Sequence, residues 1–265
     1  MLPPFFYVYV FTYMFYVNLF GLFGDVLKFD KIFGIIKEKT KGMTAMKINA
    51  AVFDLDGTLI NSLIVWGELW KAFGEKYMGD ASFVPDKEID MALRTMTLKD
   101  ACDLLCKKYN MGESGEALLD ETNEFVADFY SNSVEFKDGA EEFLKILKES
   151  GTKMCVATAT SSELVKYAIK RLGVDRYIDT VLSCGDIGKG KDKPDIFLLA
   201  CEHLGVKPED AWMFEDSAVA LMTAKSIGMK TVGIYDAFNY GHDILKENAD
   251  IYVDDGETLL KVLDA

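Results

Sequence analysis

Two aspartates close the first strongly apolar run of the chain. The stretch VFDLDGT, residues 52–58, places Asp54 and Asp56 on either side of a leucine and ahead of Gly57. A carboxylate can attack phosphorus once the charge on the phosphoryl oxygens is neutralised, and a second carboxyl nearby can protonate the leaving oxygen. The pair is therefore suited to phosphoryl transfer, with Asp54 as nucleophile and Asp56 as general acid and base. Alone, the motif is also common in turns, so its interpretation depends on the rest of the chain.

Further polar side chains stand where other apolar, strand-like runs end. They are Thr158 and Thr160, then the lysines Lys189, Lys191 and Lys193, and finally Glu215 and Asp216. Carboxylates that meet at the edge of a sheet raise each other's pKa unless a cation lies between them. Oxygen ligands suit Mg²⁺, which usually keeps waters and a substrate phosphate in its coordination shell. We therefore predict a magnesium site made by the carboxylates of two strands: Asp54, Asp56, Glu215 and Asp216.

The elements that must position these residues alternate along the chain. Six short apolar runs read as buried parallel strands, at 47–55, 153–159, 180–184, 211–216, 230–236 and 249–255. Between most of them lie amphipathic stretches that end in glycine, as helices do. This alternation predicts an α/β fold with a doubly wound parallel sheet. Residues 63–136 break the rhythm with helical patterns alone, which predicts a helical insertion after the first strand.

The order of these features resembles the haloacid dehalogenase superfamily. The features are DLDGT after a strand, a threonine at a strand end, a lysine before PDIF, and FEDS, and the resemblance spans residues 47–255. It is closest to the branch of beta-phosphoglucomutases and phosphoglycolate phosphatases, whose helical cap is inserted where this chain has its helical run. It implies a Rossmann-like core formed by residues 47–62 and 137–265, and a cap formed by residues 63–136.

The resemblance also implies a role for each motif residue. The implied roles are catalysis by Asp54, Asp56, Thr158 and Lys191, substrate binding by Gly57, Thr158 and Ala159, and Mg²⁺ binding by Asp54, Asp56, Glu215 and Asp216. Lys193 stays an alternative to Lys191, because the family lysine is usually followed by proline and Pro194 follows Lys193.

Substrate choice is expected to lie in the cap, which closes over the site in such enzymes. In the loop-like stretch 94–100, Arg94 and Lys99 are the predicted contacts to a polar or anionic substrate. A phosphatase of small phosphorylated metabolites is the favoured function, with a phosphomutase as the alternative. Beta-phosphoglucomutases carry a cap histidine twelve residues past the nucleophile, and this chain has Trp66 there.

Composition excludes some function classes and indicates a compartment. The formal net charge is −14, whereas nucleic-acid-binding proteins usually carry an excess or a patch of basic residues. We therefore expect no nucleic-acid partner. The five cysteines show no CxxC pairing and are expected to be reduced thiols in a cytoplasmic protein. We expect a monomer.

The N-terminal region, residues 1–46, differs from the rest. Residues 2–24 carry no charge, are rich in aromatic side chains and could span a bilayer. Two interpretations stay open. The segment is a membrane anchor that leaves the remainder in the cytoplasm, or translation begins at Met43 or Met46, directly before the first strand. A membrane partner is expected only in the first case.

Overall fold

The computed structural model describes residues 47–93 and 98–265, and the N-terminal apolar run lies outside them. All six predicted strands are confirmed, each somewhat shorter than its apolar run. They are β1 (Ala50–Phe53), β2 (Lys153–Thr158), β3 (Thr180–Ser183), β4 (Ala211–Glu215), β5 (Lys230–Ile234) and β6 (Ile251–Val253).

The strands form one parallel sheet in the order β3-β2-β1-β4-β5-β6. The chain moves outward from β1 to β3 and then crosses back to β4 on the other side of β1. In such a doubly wound sheet, ligands bind beyond the carboxyl ends of the strands at the point where the order reverses. Here that point lies between β1 and β4, whose register is extended by the hydrogen bond from the Asp54 N–H to the Phe214 carbonyl, 2.9 Å. The predicted α/β fold is confirmed.

Ten α-helices are described. They are α1 (Val65–Met78), α2 (Lys87–Leu93), α3 (Leu98–Tyr109), α4 (Gly115–Asn132), α5 (Ala140–Glu149), α6 (Ser162–Leu172), α7 (Cys184–Ile187), α8 (Asp195–Leu204), α9 (Ala218–Ser226) and α10 (His242–Asn248). Short 3₁₀ helices cover Val174–Arg176, Pro208–Asp210 and Leu259–Asp264. Among the described residues, none of these helices is long and apolar enough to cross a membrane.

The sheet is buried because helices cover its faces. Helix α5 places Phe143, Leu144 and Leu147 on its buried face, at the spacing expected of an amphipathic helix. The Phe53 ring stacks on Phe214 of the neighbouring strand at a centroid distance of 4.5 Å and meets the edge of Phe143 at 6.2 Å. Burying an aromatic side chain of this size stabilises the fold by roughly 1.5–3 kcal/mol. These contacts hold β1 and β4 in place directly behind the acidic residues that follow them.

The insertion between β1 and β2 leaves and re-enters the core at one place. Ile60 and Phe136 form an isolated antiparallel bridge, and the Asn61 N–H donates to the Glu135 carbonyl at 2.8 Å. Between these crossing points the described residues form helices α1 to α4 and no strand. The helices have a core of their own, which includes Leu69, Phe73, Cys102, Leu105 and Leu118. A separate cap domain with bounds 63–136 stays a prediction, to which this local core lends support.

Candidate active site

Three buried carboxylates meet at the carboxyl ends of β1 and β4. Asp54 directly follows β1, Glu215 ends β4 and Asp216 follows it. Their side-chain oxygens lie within 4.8 Å of one another, although the residues are only 4 %, 1 % and 3 % exposed. The parallel register of the two strands produces this meeting, since it brings residues 161 positions apart in the sequence to the same edge.

One lysine reaches into this group. Lys191, on the loop between α7 and α8, hydrogen-bonds the Asp54 carboxylate, and its Nζ lies 2.9 Å from Glu215 Oε2. Lys193 lies on the surface with Nζ 3.6 Å from the Asp192 carboxylate, and the exposed Lys189 pairs with Asp195. Of the three lysines in this loop, Lys191 is therefore the one that contacts Asp54.

Burial controls the protonation of the group. It raises the pKa of Asp54, Glu215 and Asp216 to about 7 each, and Lys191 offsets only part of that rise. Burial also favours the neutral form of Lys191, but the carboxylates of Asp54 and Glu215 outweigh it and raise the lysine pKa above its usual value. Around neutral pH the site thus holds one fixed positive charge beside three carboxylates that ionise with difficulty.

These residues fit a magnesium ion. A hard divalent cation prefers carboxylate oxygens, and its charge would relieve the repulsion between three buried acids. Asp216 is already oriented, because Thr58 Oγ1 donates to its Oδ1 at 3.2 Å and Asn239 Nδ2 donates to its Oδ2 at 2.8 Å. Such outer partners are typical of metal ligands, whose orientation they determine.

The carboxylate of Asp56 is separate from this group. The side chains that donate hydrogen bonds to it, among the described residues, are all hydroxyls. Ser62 Oγ donates to its Oδ1 at 2.6 Å, and the Tyr130 hydroxyl donates to the same oxygen. Thr160 Oγ1 and Thr158 Oγ1 donate to its Oδ2 at 2.7 and 3.2 Å. Asp56 was predicted as a ligand as well as an acid and base. The structure places three of the four predicted ligands together and leaves its carboxylate outside, because these hydroxyls occupy it.

The other predicted residues differ in how near they lie to the site. Thr158 ends β2 and donates to Asp56, while its Oγ1 also accepts from the Thr160 N–H at 3.0 Å, so its hydroxyl serves Asp56 in this structure. Ala159 follows Thr158 and is exposed at the same edge. Lys99 is exposed on α3, and Arg94 lies outside the described residues.

Gly57 lies in the turn that directly follows Asp54 and Asp56. Its φ is +79°, a value that L side chains rarely adopt, and a Cβ there would lie 2.3 Å from Asp216 Oδ2. Lys137 fixes the turn from outside, because its Nζ donates to the Gly57 carbonyl at 2.8 Å and to the buried Asp236 carboxylate at 2.8 Å. The glycine therefore allows β1 and β4 to bring their acids together.

Several side chains of the site were not predicted. Asn239 lies in the loop between β5 and α10, several residues past the strand end, so a search of strand ends does not find it. Tyr130 lies within a regular helical pattern and Ser62 among turn residues, and neither carries a signal in the sequence. Thr160 was recognised at a strand end but given no role.

Comparison with known proteins agrees with this geometry. The profile of haloacid dehalogenase-like hydrolases matches residues 51–234. The chain is 31 % identical over 225 residues to a putative pyrophosphatase PpaX of Caldanaerobacter subterraneus subsp. tengcongensis, covering 82 % of this chain and 96 % of that protein. It is 25 % identical over 203 residues to a phosphorylated carbohydrates phosphatase of Thermotoga maritima, covering 76 % and 92 %.

A solved structure agrees over a similar length. The crystal structure of a putative beta-phosphoglucomutase from Thermotoga maritima superposes with a TM-score of 0.66 at 25 % identity, covering 77 % of this chain and 94 % of that one. The family match spans most of the chain, including β1 with Asp54 and β4 with Glu215. The chain therefore belongs to the haloacid dehalogenase-like hydrolases.

Proposed function

We propose that this hydrolase is a magnesium-dependent phosphatase of small phosphorylated metabolites, and that Asp54 is its nucleophile. The observation that carries the proposal is the buried contact of Asp54 with Lys191 beside Glu215 and Asp216, next to a second, hydroxyl-bound carboxyl at Asp56. The arrangement offers a nucleophile, positive charge for a phosphate and a separate acid in one small space.

Asp54 attacks first. Its carboxylate oxygen bonds to phosphorus while the bond from phosphorus to the ester oxygen breaks, and the protonated Asp56 gives its proton to that leaving oxygen. Lys191 supplies a fixed positive charge to the phosphoryl oxygens. Asp54, Glu215 and Asp216 would hold Mg²⁺, which would supply further positive charge to those oxygens. The products of this step are an alcohol and an aspartyl phosphate on Asp54.

Water then releases the phosphate. Asp56, now a carboxylate, takes a proton from the water as the water oxygen bonds to phosphorus and the bond to Asp54 breaks. Inorganic phosphate leaves, and Asp56 is protonated again for the next cycle. One residue thus acts as acid and then as base. This requires that the carboxyl group keep its position in both protonation states.

A phosphomutase is the second candidate, because one of the proteins that superpose on this chain is a putative beta-phosphoglucomutase. Trp66 disfavours the phosphomutase function. The side chain is half-buried among the apolar residues of the insertion, with its ring centroid 6.4 Å from that of Trp70, and it offers no imidazole for proton transfer. Pyrophosphate also belongs among the trial substrates, since a relative at 31 % identity is named a putative pyrophosphatase.

The deciding experiment follows the phosphate after transfer. The full chain is given beta-glucose 1-phosphate with a trace of the bisphosphate as primer, while isomer and inorganic phosphate are measured in one sample. We expect steady release of inorganic phosphate, and from a panel of sugar phosphates, polyol phosphates and pyrophosphate we expect at least one efficient substrate. Glucose 6-phosphate that accumulates far faster than inorganic phosphate would favour the mutase instead.

The surroundings of the enzyme form part of the same proposal. All five cysteines are free thiols, as expected in a reducing compartment, and the net charge of −14 disfavours a nucleic-acid partner. We propose a monomer that acts in the cytoplasm on small phosphorylated metabolites. Light scattering of the purified protein tests the monomer, and cell fractionation tests the compartment.

A further inference from the structure

The hydroxyls around Asp56 come from two different parts of the molecule. Thr158 ends β2 in the core, Thr160 follows two residues later, and both donate to one carboxylate oxygen, Oδ2. Ser62 and Tyr130 stand near the two crossing points of the insertion and bind the other, Oδ1. The core thus binds one carboxylate oxygen and the insertion binds the other, so the carboxyl plane has a defined orientation.

The four hydroxyls of Ser62, Tyr130, Thr158 and Thr160 form a shell around Asp56. Such a shell suits a carboxyl group that gains and loses a proton. An ionised carboxylate has about four acceptor positions, and four donors fill them here. When Asp56 is protonated, one neighbour must turn from donor to acceptor, which a hydroxyl can do and a lysine or arginine cannot. The shell can therefore bind both protonation states and hold the carboxyl in place throughout a reaction cycle.

Tyr130 is the one of the four donors that belongs to a helix of the insertion. It lies near the end of α4, 74 residues from Asp56, and is 4 % exposed. Helix α4 packs against α6, which begins two residues after Thr160. The phenol thus approaches Asp56 from a helix that is braced against the core, whereas Ser62 lies only six residues away on the same turn.

We infer that Tyr130 is a positioning residue that orients the Asp56 carboxyl for proton transfer through its hydrogen bond to Oδ1. The inference rests on the proposed function, in which Asp56 protonates the leaving oxygen. It assigns a task in catalysis to the last helix of the insertion, beyond covering the site. Because the proton must be delivered along a defined direction, loss of the bond slows transfer even where the carboxyl itself is intact.

The test compares substrates whose leaving groups differ in their need for a proton. An alkyl phosphate requires a general acid, whereas dinitrophenyl phosphate releases a stable anion without one. For Tyr130→Phe we expect kcat/KM on the alkyl phosphate to fall about tenfold, as for the loss of one hydrogen bond, and on dinitrophenyl phosphate to stay nearly unchanged. Asp56→Asn should show the same selectivity to a greater degree. The ratio kcat/KM is used because it reports the steps up to departure of the leaving group.

A matched control removes a different phenol from the insertion. The Tyr77 hydroxyl donates to the Glu121 carboxylate at 2.6 Å, so Tyr77→Phe deletes the same kind of bond away from Asp56. We expect this variant to keep wild-type values on both substrates. Thermal unfolding of both variants checks that the fold is retained.

A double mutant separates positioning from a structural defect. If Tyr130 acts through Asp56, Tyr130→Phe should cost nothing further in the Asp56→Asn background. Equal losses on both substrates, no loss on the alkyl phosphate, or additive losses in the double mutant would overturn the inference and leave the proposed function standing. Asp56→Asn without leaving-group selectivity would overturn the acid role of Asp56 and this inference with it.

Discussion

At the level of single side chains, the site is a balance between one ammonium and three buried carboxylates. If all were ionised, Lys191 would leave a net charge of two negative units in a space where water is scarce. Burial, together with repulsion from the neighbouring carboxylates, raises the pKa of Asp54, Glu215 and Asp216 to about 7. The same imbalance explains why the site fits a divalent cation better than a second lysine, whose side chain is larger and carries only one charge.

Substitution of Asp54 gives the sharpest test of its proposed role as nucleophile. Asp54→Asn keeps the size of the side chain but replaces the carboxylate with an amide, which cannot act as the nucleophile, so we expect turnover to fall by about a thousandfold or more. The measurement is release of inorganic phosphate, together with mass spectrometry of the protein after rapid quenching. Wild-type enzyme should carry phosphate on Asp54, and phosphate trapped on another residue would contradict the assignment. Circular dichroism checks that the variant is folded.

Metal affinity tests whether Asn239 supports Asp216 as a proposed metal ligand. Asn239 donates to both Asp216 Oδ2, at 2.8 Å, and the Asp216 carbonyl, at 3.1 Å. Removing such an outer partner typically weakens metal binding about 10–100-fold, so Asn239→Ala should raise the Mg²⁺ concentration for half-maximal activity by at least about tenfold. Asn132→Ala serves as control, because Asn132 donates to the exposed Asp128 carboxylate at 2.8 Å. An unchanged Mg²⁺ requirement in Asn239→Ala would show that the loop after β5 does not support the metal site.

At the level of elements, the turn after β1 decides whether the strand ends can meet. Gly57 has φ +79° and allows the chain to pass beside Asp216, while Lys137 binds its carbonyl oxygen. The crossing point of the insertion follows within a few residues, at Ile60. A single turn thus connects the proposed nucleophile Asp54 and the proposed acid Asp56 to the entry of the helical insertion.

A pair of glycine substitutions separates backbone strain from close contact. Gly151 has φ +77°, and a Cβ added there would meet no atom of the described residues within 4 Å, so Gly151→Ala should lower the free energy of unfolding by only about 1 kcal/mol. Gly57→Ala brings the same strain, and its Cβ would also lie 2.3 Å from Asp216 Oδ2. We therefore expect a larger loss of stability and a raised Mg²⁺ requirement, measured by urea unfolding and by Mg²⁺ titration of activity. Equal effects of the two substitutions would contradict the close approach at Gly57.

For the whole molecule, the buried acids link stability to pH and to metal. Without metal, the folded pKa values of about 7 lie above the ordinary values of 3.8 for Asp and 4.5 for Glu. The folded state therefore binds more protons than the unfolded state between these limits, and stability must fall as the pH rises through this window. Bound Mg²⁺ reverses the effect, because it prefers the ionised carboxylates.

Urea unfolding in the presence and absence of Mg²⁺ measures this linkage. We expect the metal-free free energy of unfolding to decrease from about pH 5 to about pH 8, and the gain from millimolar Mg²⁺ to be larger at the higher pH. Asp54→Asn removes one of the three acids and should flatten the metal-free dependence. Stability that is constant or rises with pH in the metal-free wild type would contradict the raised pKa values.

The sequence alone determined the sheet and the acids at its edge. Buried parallel strands need continuous apolar runs, and a polar residue at the end of such a run must lie at the carboxyl edge where ligands bind. Asp54, Glu215 and Asp216 could be predicted in this way, because their positions depend on local pattern and on the rules of strand order. The helical character of residues 63–136 was likewise visible in its periodicity.

Only the tertiary structure decided which side chains touch the acids. Three lysines stand within five residues of one another in one loop, and packing alone turns Lys191 inward and leaves Lys193 in solvent. Asp56 receives Tyr130 from 74 residues away and Thr160 from 104, and these hydroxyls keep its carboxylate out of the group of Asp54. Such contacts depend on how a helix of the insertion docks on the core. The direction in which a side chain points toward a residue far away in the sequence leaves no periodic signal.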